Sequence, residues 1–171
     1  MKARTHLAGG AVAGLAFVEV ASKGQFGIEL SLKATALCFV LALLGSLAPD
    51  IDLQNSKAGQ FAKPAGFVLH RVLGHRTLFH SPLVMICIYL AQVMLYPQGM
   101  VYCIAFLTGY GSHIFLDMLN KAGVPLLYPN TKRFSLIGIR SGSMGETIIY
   151  LSLCAVVFVK LYAMLEQFLS I

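Results

Sequence analysis

Histidine and aspartate are rare in strongly apolar chains, yet here they recur at spacings that suit ligation. Ser112-His113-Ile114-Phe115-Leu116-Asp117 contains a His-x-x-x-Asp pair. Four residues apart on a helix, the two side chains share one face, where they can hold one metal ion or let the carboxylate orient the imidazole. Ala48-Pro49-Asp50-Ile51-Asp52 offers two carboxylates after a proline, and His6 stands near the start of the chain. His75-Arg76-Thr77-Leu78-Phe79-His80-Ser81 offers two imidazoles five residues apart, which a helix would not align. Gly74 and Pro82 flank them and predict a bent loop, which can turn both rings inward. Arg76 is either a phosphate ligand or a basic membrane anchor. His70 has less around it and reads as an isolated polar residue. Finally, Arg140-Ser141-Gly142-Ser143-Met144-Gly145-Glu146 precedes an apolar run. Its backbone N–H groups can receive an anion, while Ser143 and Glu146 have the spacing of a capping box. Capping is the default for Glu146, and a ligand role the sharper alternative.

These groups sit in a chain of 171 residues that is 57% hydrophobic and only 12% charged. Soluble chains average about 25% charged, so an ordinary water-soluble domain, a disordered chain and a coiled coil are excluded. What remains is an all-α, polytopic membrane bundle, one domain over residues 1–171. Apolar runs at Leu7–Ser22, Leu30–Ala48, Pro82–Tyr96, Met100–Leu119 and Thr147–Leu169 predict about five transmembrane helices. The first and third fall short of the roughly 20 residues that a bilayer core needs and must recruit their flanks. Pro97, Gln98 and Gly99 alone join the third run to the fourth, which predicts a helical hairpin. Lys2 and Arg4 before an apolar stretch resemble a signal peptide, but Glu19 lies near the candidate cleavage position, so the run is expected to be retained. The four cysteines lie inside apolar runs without CxxC spacing and read as small hydrophobes.

The net charge of +6 reads first as topology. In a five-span arrangement Lys2, Arg4, Lys57, Lys63, Arg71, Arg76, Lys121, Lys132, Arg133 and Arg140 share one side. Positive-inside bias makes that side cytoplasmic, with the N-terminus there too. The same arrangement brings His6, Asp50, Asp52, His70, His75, His80, His113, Asp117 and Glu146 to that membrane level, leaving Glu19, Glu29 and Glu166 elsewhere. Each residue alone can be a solvated or helix-bonding group. Together, in an apolar setting, they need a shared partner, and a divalent cation is the economical one. HExxH, GxSxG and Walker motifs are absent, as is a basic helix with interleaved aromatics, so direct nucleic-acid binding is not expected.

The stretches Thr5-His6-Leu7, Pro49-Asp50-Ile51-Asp52, His75-Arg76-x-x-x-His80-Ser81, His113-x-x-x-Asp117 and Gly142-Ser143-x-x-Glu146 resemble, in order, the YdjM-type family of predicted inner-membrane metal-dependent hydrolases of bacteria. That resemblance implies a metal-dependent hydrolase in the bacterial inner membrane. The order of ligands is also distantly similar to the zinc-dependent phospholipase C and single-strand nuclease superfamily. Carried over, this likeness implies that His6, Asp50, one of His75 or His80, His113 and Asp117 hold two metal ions, with Asp117 bridging. A second His-x-x-x-acid pair is missing, and the N-terminal amine that ligates metal there lies five residues before His6. The expected cofactor is one or two divalent ions, zinc first, with manganese or iron as alternatives. Asp52 is expected as general base or ligand, and Arg76 and Arg140 as phosphate-neutralising groups. Membrane lipids and an amphiphilic or phosphorylated small-molecule substrate are the expected partners. The rival reading is a non-catalytic metal-binding or transport protein. A lipid phosphatase of the PAP2 type shares His-x-x-x-Asp but needs a Pro-Ser-Gly-His motif that this chain lacks.

Overall fold

A computed structural model describes residues 1–23, 30–52 and 78–169. Among the described residues five α-helices run in sequence order: α1 (Ala3–Ser22), α2 (Leu32–Gly45), α3 (Pro82–Leu95), α4 (Met100–Leu119) and α5 (Met144–Leu169). No strand occurs among the described residues, only isolated bridges pairing Asn120 with Ile139 and Val124 with Phe134. Among the described residues four stretches are long and apolar enough to cross a membrane: Ala3–Ser22, Leu32–Asp50, Pro97–Leu119 and Met144–Glu166. The all-helical membrane bundle read from composition is the fold observed.

The first apolar run recruits its flank as required. Arg4, Thr5 and His6 interrupt the hydrophobic pattern but belong to α1, which reaches 20 residues. The third run stays short. α3 has 14 residues and no buried side chain, and it leads through the turn Pro97–Gly99 into the 20-residue α4. Ser81 caps α3 by accepting from the Leu83 N–H at 3.2 Å, with Pro82 in the first turn, where its missing N–H costs nothing.

α4 is the hub, packing on α1, α2 and α3, whereas α5 leans on α1. The α2–α4 crossing depends on glycine. A Cβ on Gly109 would lie 1.8 Å from the Ala42 carbonyl oxygen, and one on Gly45 would lie 2.0 Å from that of Phe106. The backbones therefore touch, as small residues permit in membrane helix pairs. Phe17, Val18, Ala21, Cys38, Val101 and Ala105 fill one end of the bundle, while Tyr110, Ile114 and Val124 pack near the other. Cys38 and Cys103 are buried, and no cysteine is in a disulfide among the described residues.

Candidate metal centre

The α2–α4 contact sets the position of His113. One turn beyond Gly109, its ring reaches the end of α2, where Nδ1 lies 2.7 Å from the Ser46 carbonyl oxygen. A carbonyl only accepts, so Nδ1 carries the proton and the Nε2 lone pair of the neutral ring is left to face inward. After Ser46 the chain turns through a short 3-10 helix, Ala48–Asp52, which brings Asp50 beside His113. His80 arrives from the turn before α3, which is anchored where the Tyr110 hydroxyl donates to the Phe79 carbonyl. Asp117 stands one turn after His113 on the same face of α4, as the i, i+4 spacing predicts.

The ligand atoms of these segments approach one another closely. His80 Nε2 lies 3.6 Å from both Asp50 Oδ1 and Asp117 Oδ2. His113 Nε2 lies 3.8 Å from Asp50 Oδ1 and 3.6 Å from Asp117 Oδ2. Bonds of about 2.0–2.1 Å around a tetrahedral zinc ion give ligand–ligand edges of about 3.4 Å. Each of the four contacts is within a few tenths of an ångström of that edge, as for groups that could share an ion. On the other side of Asp117, His6 Nε2 lies 3.3 Å from Oδ1, and the amino group of Met1 donates to the same oxygen at 2.6 Å. The His6 ring stacks on that of His113 with centroids 3.6 Å apart. Asp50, His80 and His113 form one group able to hold a metal ion, and His6, His113 and Asp117 form a second.

All five side chains are buried, His6 and His113 completely. Both ring nitrogens of His6, both of His80 and Nε2 of His113 have no hydrogen-bond partner among the described residues. An unmet buried donor or acceptor costs about 1–3 kcal/mol, and apolar helices do not carry several of them idly. Two carboxylates and several imidazole lone pairs suit a divalent cation by charge and by donor type. The residues present fit such an ion.

Glu146 has a different place from the cage donors. It is buried at the start of α5, where Oε1 accepts from the Lys2 N–H at 2.5 Å and the Thr5 hydroxyl at 3.0 Å. Oε2 accepts from the Gly142 N–H at 2.5 Å, with Gly142 at φ +81°. The anion that the Gly-Ser-x-Gly loop receives is thus the chain's own carboxylate, which fastens the first turn of α1 to α5 and so holds His6 in register. Ser143 also accepts from the Glu146 N–H at 3.5 Å, the capping contact expected from the spacing. Arg140 is exposed on the segment between α4 and α5. Asp52 ends the 3-10 turn, its side chain outside the described residues, and His70, His75 and Arg76 lie outside them altogether. Sequence reasoning did not anticipate the Ser46 carbonyl, the Thr5 hydroxyl or the Tyr110 anchor; the glycines at 45 and 109 were the available signal for the first.

Fold and site together define a helical membrane protein with buried histidine–aspartate groups able to hold a metal ion at one end of its bundle. The family model described as YdjM inner membrane protein matches residues 1–168, and the chain belongs to that family. It is 38% identical over 99 residues to the inner membrane protein YdjM of Escherichia coli (strain K12), and equally to that of Shigella flexneri. Each match covers 56% of this chain and 50% of the relative, so the chain spans about half the length of these two curated relatives. It is 29% identical over 150 residues to the uncharacterized protein YvsG of Bacillus subtilis (strain 168), covering 87% of both chains. No solved structure matches. Family and apolar helices together support a location in the bacterial inner membrane.

Proposed function

We propose that this chain is a metal-dependent hydrolase that cleaves a phosphoester of an amphiphilic substrate at the cytoplasmic face of the membrane. The observation that carries the reading is the convergence of His6, Asp50, His80, His113 and Asp117, from four separate segments, into two adjoining buried groups that share His113, with imidazole nitrogens lacking hydrogen-bond partners among the described residues. A divalent ion held there, zinc by the mixed donor set with manganese or iron as alternatives, would lower the pKa of a bound water and polarise a phosphoryl oxygen. The chain's own groups do the positioning. Ser46 fixes the His113 tautomer, and Asp117 turns one oxygen to His80 and His113 and the other to His6. Asp52, two residues beyond Asp50, is the proposed general base or a further ligand. Arg76 and Arg140 are proposed to neutralise phosphate, and the basic excess on this face supports its cytoplasmic orientation.

The test is paired. Protein purified in detergent is analysed for bound metal and assayed with phosphoester substrates, including lipid phosphoesters, alongside Asp117→Ala. Wild type should carry metal and turn substrate over, and the variant should do neither. Full activity in Asp117→Ala rejects the proposal. A buried site whose donors come from the protein also fits a second reading, a structural ion without catalysis. Metal-loaded wild type that hydrolyses none of the substrates, together with metal loss and destabilisation in Asp117→Ala, selects that reading.

A further inference from the structure

The segment between α4 and α5, residues 120–143, carries apolar side chains on its outside where a water-facing loop would carry polar ones. Leu127, Leu136 and Ile137 are 63%, 61% and 68% exposed, and Met144 at the start of α5 is 79% exposed. These are not the tips of a loop standing off in solvent. The Leu136 N–H donates to the Met118 carbonyl at 2.7 Å, and the Ile139 N–H donates to that of Leu119 at 2.9 Å. Both carbonyls belong to the last turn of α4, a helix long enough to span the bilayer. Residues 136–139 are thus pinned beside the end of a membrane span. That is the depth of the boundary between headgroups and acyl chains. The charge pattern agrees: residues 118–145 contain no Asp or Glu, while Lys121, Lys132, Arg133 and Arg140 are all exposed.

We propose that this segment is an interfacial rim, with Leu127, Leu136, Ile137 and Met144 seated in the leaflet and the flanking Lys and Arg side chains gathering anionic phospholipid. Apolar side chains with basic neighbours make this kind of contact elsewhere on membrane surfaces. The claim concerns lipid contact only. It stands or falls apart from the proposed hydrolysis.

The chain contains no tryptophan, so a single introduced tryptophan reports without background. Ile137→Trp in the full chain, reconstituted into phosphatidylcholine vesicles containing phosphatidylglycerol, is titrated with phospholipids brominated near the headgroup or deep in the acyl chain. Phe158→Trp, on the lipid-facing α5, serves as the deep reference. Ile137→Trp should lose at least about half its emission, more to the shallow bromines than to the deep ones, and should resist aqueous acrylamide. Phe158→Trp should show the reverse depth preference. Leu136→Trp repeats the measurement if Ile137→Trp fails to fold. Brominated phosphatidylglycerol should quench more than brominated phosphatidylcholine at equal mole fraction, and Lys132→Gln with Arg133→Gln should remove that difference. Emission quenched by acrylamide and not by bromolipid overturns the proposal. So does emission that neither agent reaches, which would indicate protein covering the segment. Equal quenching by the two headgroups in unmodified surroundings overturns the anionic-lipid part.

Discussion

Helix α1 carries ionisable groups at both ends of the bundle, and the two ends treat them differently. His6 meets Asp117 and His113 in a fully buried setting, and Asp117 also accepts from the Met1 amine. Thirteen residues later, about 20 Å along the helix axis, Glu19 pairs with Lys160 of α5 and, at 3.1 Å, with Lys23. There the carboxylate is 41% exposed and satisfied by its cations. At the cage the aspartates are buried beside imidazole nitrogens that have no hydrogen-bond partner among the described residues. Charges in an apolar bundle can thus be neutralised pairwise at the periphery, which needs nothing further. They can instead converge inside beside unpartnered imidazole nitrogens, an arrangement able to hold a ligand. The first arrangement belongs to architecture and the second to chemistry.

The sharpest way to break this contrast is to treat both ends alike. His113→Ala should lose the bound metal altogether in elemental analysis, whereas Glu19→Gln should retain the wild-type metal content. Chelation should lower the melting temperature of wild type and Glu19→Gln equally, because an ion at 100 times its Kd contributes about 2.7 kcal/mol. It should leave His113→Ala unmoved. Equal metal content in the two variants would erase the distinction.

A smaller effect sharpens the dependence of the cage on its scaffold. Gly109→Ala sets a methyl group against the Ala42 carbonyl and must push α2 from α4. We expect destabilisation of about 1–3 kcal/mol in thermal unfolding, with weaker metal binding because Ser46 moves away from His113. Glu146→Gln turns one of the carboxylate's acceptors into a donor facing Lys2 or Gly142. It should cost about 1–2 kcal/mol and loosen the α1 terminus while metal remains. Unchanged unfolding would show that the clamp is dispensable. Smallest of all, Lys160→Met should shift stability by less than about 1 kcal/mol and leave metal content unchanged.

What the sequence disclosed followed from locality and rarity. His113 and Asp117 are four residues apart in an apolar helix, so their shared face could be read directly, and the rarity of such residues marked His6, Asp50, Asp52, His75, His80 and Glu146 as candidates without choosing between His75 and His80. The all-helical membrane bundle followed from composition, and the ordered short stretches pointed to the family. Contacts between distant segments had no local signature. Nothing in Ser46 announces that its carbonyl will hold His113, because that depends on two glycines bringing α2 and α4 into backbone contact. The start of α1 was legible only in part: the short first run had to recruit a flank, but how Arg4, Thr5 and His6 are held there depends on partners on α4 and α5. Glu146 was legible as a cap, but its hold on Lys2 and Thr5 was not.

The brevity of α3 acts as a ruler. Both arms of the hairpin start from the turn Pro97–Gly99, but α3 stops six residues short of the length of α4, about 9 Å along the axis. His80 at its foot is therefore set level with His113, more than a turn short of the end of α4. One added helical turn in α3 would lower that imidazole by about 5.4 Å, past the carboxylates it now faces. The length of this outer helix, which buries no side chain of its own, thus calibrates the height at which the ligands meet.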